Sequence, residues 1–229
     1  MASFRKLGAA LLVIVALGVV FASSSFAAAT TSDVQWYTGS GTGTLLSGVA
    51  AIGSSLSGTS GTLTTTAAGT TYTLHFTGID CSSCTFSNSG GTAVGSGELV
   101  FTGVTITAPP GCTVPSTIRT DALSIRADWM NGSVDYFELE PTAGPTAQFA
   151  MVAVTNCAQA TSLPLKGTLF TETTNATGTP AVQQQVNSSP TINSTAGGTL
   201  HVGTETASLT FALKFRMTGT HEGQEFQTH

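Results

Sequence analysis

The fold is decided by residues 98–174, whose middle part, residues 121–141, reads DALSIRADWMNGSVDYFELEP. Apolar and polar residues alternate on both sides of Asn131-Gly132, which is typical of two half-buried strands joined by a hairpin. One face of this hairpin is expected to enter the core, and its members come from both strands: Leu123, Ile125, Trp129, Phe137 and Leu139.

The loop of this hairpin determines which residues face each other. A two-residue Asn-Gly loop would pair Ile125 with Glu138 and so mix an apolar with a charged face. A three-residue loop at 130–132 keeps the faces separate, because it pairs Leu123 with Leu139 and Ile125 with Phe137. We therefore expect the three-residue loop.

Alternation and turn residues predict further strands at 33–37, 70–77, 98–107, 147–155 and 163–173, and a final hairpin at 199–218. Residues 44–58 are ambiguous, residues 78–97 read as a long coil, and residues 174–196 read as a long loop or a weak edge strand. With about 9–11 strands and no convincing helix after the N-terminus, the chain is expected to form an all-β antiparallel sandwich with Greek-key or jelly-roll connections. A solenoid is the alternative, because the triplet GTL recurs, although at irregular spacing.

The N-terminus has the pattern of a secretory signal peptide. Arg5 and Lys6 precede an apolar run at 7–21, and small residues allow cleavage after Ala27 or Ala29. The alternative is an uncleaved anchor, but the run is shorter than the ~20 residues that a spanning helix needs. We therefore assign residues 1–29 to a signal peptide, 30–218 to one β domain and 219–229 to a polar C-terminal tail, in a secreted or cell-envelope protein.

Charge argues against several classes of partner. Only 8% of the residues are charged, against ~25% in typical domains. After residue 29 there are five basic and twelve acidic residues, a net charge of about −7. Because no basic patch exists, nucleic acids and anionic membrane surfaces are poor partners.

Four cysteines, Cys81, Cys84, Cys112 and Cys157, are an even number in a chain expected to be exported, which favours two disulfides. Three pairings are possible, and we favour Cys81–Cys84 with Cys112–Cys157. The CxxC spacing of the first pair also occurs in redox sites, but such sites place the first cysteine at the start of a helix. No helix-forming run follows Cys81, so a structural clip is expected.

The chain contains a set of short motifs: FTGVT at 101–105, CTVP at 112–115, IRT at 118–120, FxLxP at 137–141, and Cys157 followed by PLKG at 164–167. Together these motifs resemble those of a family of uncharacterised exported β-rich proteins from actinobacteria. The resemblance covers residues 98–172. It implies the β-rich fold and the Cys112–Cys157 pairing, and it implies no activity.

Few residues fall into catalytic or metal-binding patterns. Acidic residues concentrate in the 121–140 hairpin: Asp121, Asp128, Asp135, Glu138 and Glu140. Calcium binding or sugar hydrolysis would use such carboxylates, but a charged outer face that blocks sheet pairing is the simpler interpretation. The histidines, His75, His201, His221 and His229, lack ligand-like spacing, and His75 and His201 are expected to face solvent. We therefore expect no enzyme, no metal and no cofactor.

Three binding functions remain. The first is a secreted or cell-surface structural or interaction protein, which self-associates or attaches to an envelope polymer. The alternative is a non-catalytic carbohydrate-binding module with exposed aromatic rings, for which the candidates are Trp36, Tyr37 and Tyr136. The third is an ice- or surface-binding protein using the threonines at 64–66 and 70–73, but it needs regular T-x-T ranks, which the irregular spacing does not supply.

Overall fold

The computed structural model describes residues 34–41, 43–55, 60–130, 134–174 and 181–228, with the backbone alone at 54–55, 128–130 and 134–135. The signal peptide expected at 1–29 lies outside these residues. The described chain is all-β, with antiparallel sheets and 63% strand. Its strands are β1 Trp36–Thr38, β2 Thr44–Leu45, β3 Val49–Ser55, β4 Gly61–Ala67, β5 Thr70–Phe76, β6 Gly78–Ser89, β7 Thr92–Thr102, β8 Thr105–Ala108, β9 Thr117–Arg119, β10 Leu123–Met130, β11 Val134–Pro141, β12 Gln148–Ala153, β13 Ser162–Lys166, β14 Leu169–Thr173, β15 Gln183–Ser188, β16 His201–Val202, β17 Glu205–Thr206, β18 Ser208–Thr218 and β19 Phe226–Thr228.

Eight of these strands form a closed barrel, in the order β3-β6-β7-β10-β11-β14-β15-β18, and β18 pairs again with β3. The antiparallel all-β prediction is confirmed, but the sandwich with 9–11 strands is replaced by this barrel and by more, shorter strands. The closure depends on β15, in a segment expected to be a loop or an edge strand. Because β15 pairs with both β14 and β18, it leaves no free edge in the barrel.

Aromatic side chains fill the barrel. Phe86 of β6, Phe137 of β11 and Phe215 of β18 are buried, with ring centroids 5.7–6.0 Å apart. Trp36 stacks on Phe86 at 4.1 Å, and Phe226 lies 6.3 Å from Trp36. Such aromatic pairs add to the stability that burial alone provides.

Trp36 and Phe226 belong to a three-stranded capping sheet, in the order β19-β1-β2. Asn88 of β6 ties this sheet to the barrel, since its side chain accepts from Trp36 N and donates to the carbonyls of Trp36 and Leu46. The segment after Thr218, expected as a polar tail, thus contains a strand of the capping sheet. Its single phenylalanine, Phe226, is fully buried.

A second sheet region, here called the extension, branches from the first half of β18. Residues Ser208–Phe211 pair with β4, which continues to β5 and β8. The extension faces a four-stranded sheet of order β12-β13-β16-β17. Side chains of both sheets, such as Leu63, Leu74, Val152 and Leu165, enclose an apolar cavity of about 30 Å³.

The 121–140 hairpin forms strands β10 and β11, but its register differs from the expected one by two residues. Ile125 pairs with Leu139, Ala127 with Phe137 and Met130 with Val134, so residues 131–133 lie between the strands and outside the described residues. A shift of two leaves every side chain on its expected face, and Leu123, Ile125, Phe137 and Leu139 are all buried. The side chain of Trp129, also expected in the core, is outside the described set.

The expectation of a coil at 78–97 is wrong, because these residues form β6 and the first half of β7. The register between them shifts between Ser82 and Thr85, next to the Cys81–Cys84 disulfide. Ser83, inside this irregularity, has a positive φ of 53°. The clip therefore stabilises a bulge in a barrel strand.

The prediction that no helix follows the N-terminus is also wrong, because helix α1 spans Pro190–Ala196. Ser189 caps its N-terminus by accepting from Ile192 N, Pro190 starts it, and Gly197 ends it in the left-handed conformation. Asn193, in this helix, donates to Ser188 Oγ and accepts from Phe170 N, which attaches the helix to β14 and β15.

Candidate interaction surface

The outer face of the extension presents a regular array of hydroxyl groups. On β4, β5 and β8 alternate residues point away from the buried side chains, as strand geometry requires. The outward side chains of these strands and of the first half of β18 form what we call the threonine face: Thr62, Thr64, Thr66, Thr71, Thr73, His75, Thr105, Thr107, Ser208 and Thr210.

Strand register aligns these residues in rows across the sheet. One row runs from Thr210 through Thr62 and His75 to Thr105. The next runs from Ser208 through Thr64 to Thr73. Neighbouring strands are ~4.8 Å apart, and outward residues on one strand repeat every ~6.7 Å, so the face has fixed periods in two directions.

Hydrogen bonds within the sheet hold part of this array. Thr210 Oγ1 donates to Thr62 O at 3.4 Å, and Thr107 Oγ1 donates to Thr73 O at 3.3 Å. Thr62 Oγ1 contacts His75 Nδ1 at 3.1 Å. The hydroxyls of Thr64 and Thr71 have no protein partner among the described residues, so they are available to an external one.

The threonine face carries no carboxylate, ammonium or guanidinium group. Residues 61–77, 103–108 and 208–213 contain no Asp, Glu, Lys or Arg. The charges lie elsewhere, for example on the barrel wall, where Arg126 of β10 is directly opposite Glu138 of β11. In the register expected from the sequence, these two residues would be diagonal neighbours.

The barrel wall also contains the acidic residues considered for calcium or catalysis. Strands β10 and β11 are paired on both sides, with β7 and β14, so their charges do not protect a sheet edge as expected. Tyr136 lies opposite Glu172, and burial first, then the charge of Glu172, raises the pKa of Tyr136 above its ordinary value.

The other acidic and basic residues of that region are dispersed. Asp121 precedes strand β10 and accepts from Gln148 Nε2 at 3.3 Å. The side chains of Asp128 and Asp135 are outside the described residues. Within the residues that the structure describes, no three His, Cys, Asp or Glu side chains form a group able to hold a metal ion.

Of the three aromatic candidates for sugar binding, one is buried and the other two lie on different strands. Trp36 is fully buried and stacked on Phe86, so this candidate is wrong. Tyr37 and Tyr136 are half-buried, and they lie on different elements, β1 and β11.

The cysteines and histidines have structural surroundings. Cys81–Cys84 and Cys112–Cys157 are both disulfides, which confirms the favoured pairing. The Cys81 and Cys84 side chains are buried on a strand, which is no setting for a reactive thiolate. Two disulfides fit an oxidising environment outside the cytoplasm.

Of the histidines, His75 is exposed on the threonine face, and His201 Nδ1 lies 2.6 Å from Thr199 O. His221, the last residue of the 3-10 helix Gly219–His221, contacts Gln224. His229 lies outside the described residues. Among the helices of the described residues, none has the length and apolar character needed to cross a membrane.

The threonines at 64–66 and 70–73 were set aside as a surface-binding site because their spacing along the chain is irregular. The signal was present as T-x-T at 62–66, 71–73 and 105–107 and S-x-T at 208–210. These motifs become ranks only when β4, β5, β8 and β18 pair, and their register could not be read from composition.

No family model matches the chain, and neither curated proteins nor solved structures return a match to it. The resemblance to exported β-rich actinobacterial proteins therefore rests on the quoted motifs and stays a prediction.

Proposed function

We propose that the protein is a secreted or cell-surface interaction domain without catalytic activity, which attaches through the threonine face to an uncharged, hydroxyl-bearing surface outside the cell. One observation carries this proposal: a charge-free sheet face with aligned hydroxyls, on a chain whose charges lie elsewhere. Such a face offers no counter-charge to a charged ligand, so an electrically neutral partner fits it best. The sequence predicts self-association or attachment to an envelope polymer, and an envelope polymer is the external surface of this kind.

The attachment can be tested by sedimentation with the cell-envelope fraction of the host. The test variant, Thr64→Lys with Thr73→Lys, changes two residues that are directly opposite each other at the centre of the face. Two ammonium groups there would have to lose water on contact with a neutral surface, which is unfavourable. We expect the bound fraction to fall to that of an unrelated secreted protein.

A matched control exists on the barrel wall. Thr85 and Ser96 are also directly opposite each other on adjacent strands, and their hydroxyls are 3.1 Å apart. The variant Thr85→Lys with Ser96→Lys makes the same change in charge and should bind like the unaltered protein. Equal binding by all three proteins, with unchanged melting temperatures, would refute the role of the threonine face.

A further inference from the structure

The threonine face has the same repeat on four neighbouring strands. β4 carries threonine at 62, 64 and 66, β5 at 71 and 73, and β8 at 105 and 107, and β18 adds Ser208 and Thr210. The pairing of these strands sets the repeats side by side. The regular T-x-T ranks, which are not visible in the spacing along the chain, are thus formed by strands from three separate parts of the chain.

The array is pre-organised. β4 is paired with β18 and β5, and β5 is paired with β4 and β8. The central threonines therefore lie on strands that are hydrogen-bonded on both sides and not on a mobile sheet edge. Threonine is β-branched and has few χ1 rotamers in a strand. Its hydroxyl and methyl group therefore keep fixed positions, and little conformational entropy is lost on binding.

The chemistry of the array narrows the class of partner. Every outward polar group except the His75 imidazole is a hydroxyl, which both donates and accepts, as water does. The outward positions contain no aromatic ring on which a sugar could stack, and no amide or carboxylate to orient its hydroxyls. A single exposed hydroxyl contributes little, so useful affinity requires many contacts at once with a partner that is itself periodic.

We infer that the threonine face adsorbs to the surface of ice. Ice is an uncharged surface that presents hydroxyl groups at regular intervals in two directions. The rows of the threonine face place hydroxyl groups at regular intervals in two directions, where they hydrogen-bond to the ice lattice. The methyl groups beside them contact the ice surface. This inference rests on the proposed function, because it names the uncharged surface that the same face binds.

The test is the inhibition of ice recrystallisation, with the secreted, disulfide-bonded protein in a frozen sucrose solution. The unaltered protein should keep ice crystals small at concentrations where serum albumin has no effect. Thr64→Lys with Thr73→Lys should raise the concentration needed by about tenfold or more, since it removes contacts at the centre of the array. Thr85→Lys with Ser96→Lys should have no effect. If the first variant does not fold, Thr71→Lys with Thr105→Lys, at more exposed positions, replaces it.

Crystal growth that the unaltered protein does not change, or an equal loss of inhibition with the barrel-wall variant, would overturn the inference. The envelope-binding assay distinguishes failure of the ice inference from failure of the proposed function. Envelope binding that depends on Thr64 and Thr73, without inhibition of recrystallisation, removes ice as the partner and leaves the interaction face in place. If the threonine-face variants retain both envelope binding and inhibition of recrystallisation, the ice inference and the proposed role of the threonine face are both refuted.

Discussion

The barrel and the extension share strand β18 and nevertheless differ on both of their faces. Inside the barrel, Phe86, Phe137 and Phe215 pack ring against ring, whereas the mixed aliphatic and aromatic side chains beneath the extension leave a cavity of about 30 Å³. Outside, the barrel wall carries charges such as Arg126 and Glu138, whereas the extension carries hydroxyls alone apart from His75.

This difference separates stability from surface chemistry within one continuous sheet. The aromatic interior and the closed edge concentrate stabilising contacts in the barrel. The charged wall keeps that part of the molecule soluble and discourages association. The extension lacks such charges. Association through an exposed uncharged surface removes no charged group from water, so its desolvation cost is the lowest. The predictions below compare the two regions, starting with the largest effect.

Replacing Trp36 with alanine should lower the free energy of unfolding by about 3–5 kcal/mol, because it empties the junction between the capping sheet and the barrel. The indole is fully buried, stacks on Phe86 and donates from Nε1 to Val94 O at 3.2 Å. Urea unfolding measures the change. Tyr37→Ala, at the next residue on the same strand, serves as the control and should cost much less, since Tyr37 is half-buried. Equal losses would contradict an aromatic barrel core.

One disulfide lies in the barrel strand β6 and the other connects the extension to the four-stranded sheet, and the two should stabilise the fold to different extents. Cys112–Cys157 closes a loop with a sequence separation of 45 and links the chain after β8 to the chain after β12. Loop-closure entropy predicts a loss of about 4 kcal/mol for Cys112→Ala with Cys157→Ala, and about 2 kcal/mol for Cys81→Ala with Cys84→Ala. Urea unfolding of both variants tests the order, and the opposite order would show that the barrel bulge depends on its clip for more than chain entropy.

Sequence patterning predicted the elements whose apolar residues alternate. Strands β10 and β11 were found with the correct faces, and the hairpin register was missed by two residues, because such a shift moves no side chain to the other face. The opposition of Arg126 and Glu138 in the observed register is a charge match that could have helped to select it.

Elements without alternation were missed for a physical reason. In β6 the core positions are Ile79, Cys81, Cys84 and Phe86, whose alternation is interrupted between the two cysteines, and the glycines at 95 and 97 make β7 look like coil. Gly95 is nevertheless required, because a Cβ there would lie 2.7 Å from the Phe86 ring. The polar strand β15 is stabilised by its two neighbours rather than by its own pattern, and the threonine face exists only once four strands have paired.

Adding one methylene should have opposite effects in the two regions. Val152 lines the cavity between the extension and the four-stranded sheet, so Val152→Ile should raise the free energy of unfolding by about 0.8 kcal/mol. Val186 is equally buried but faces the barrel, paired with Leu213, and does not line this cavity. Val186→Ile should therefore destabilise by about 1 kcal/mol or more through overpacking. Thermal unfolding distinguishes these outcomes, and a gain in both variants would show that the barrel is also loosely packed.

The smallest effect is expected on the barrel wall, at Tyr136. Its raised pKa means that the folded protein keeps the phenolic proton at a pH where the unfolded chain has lost it. Stability from this group is therefore complete below pH ~10 and is lost as the pH rises through the folded pKa. Tyr136→Phe should remove that part of the alkaline decline in unfolding free energy, measured by urea titration at successive pH values. Glu172→Gln should remove a smaller part, because burial is the larger cause of the shift and the charge of Glu172 the lesser one. A larger effect of Glu172→Gln than of Tyr136→Phe would mean that charge repulsion on the wall, rather than burial, controls this tyrosine.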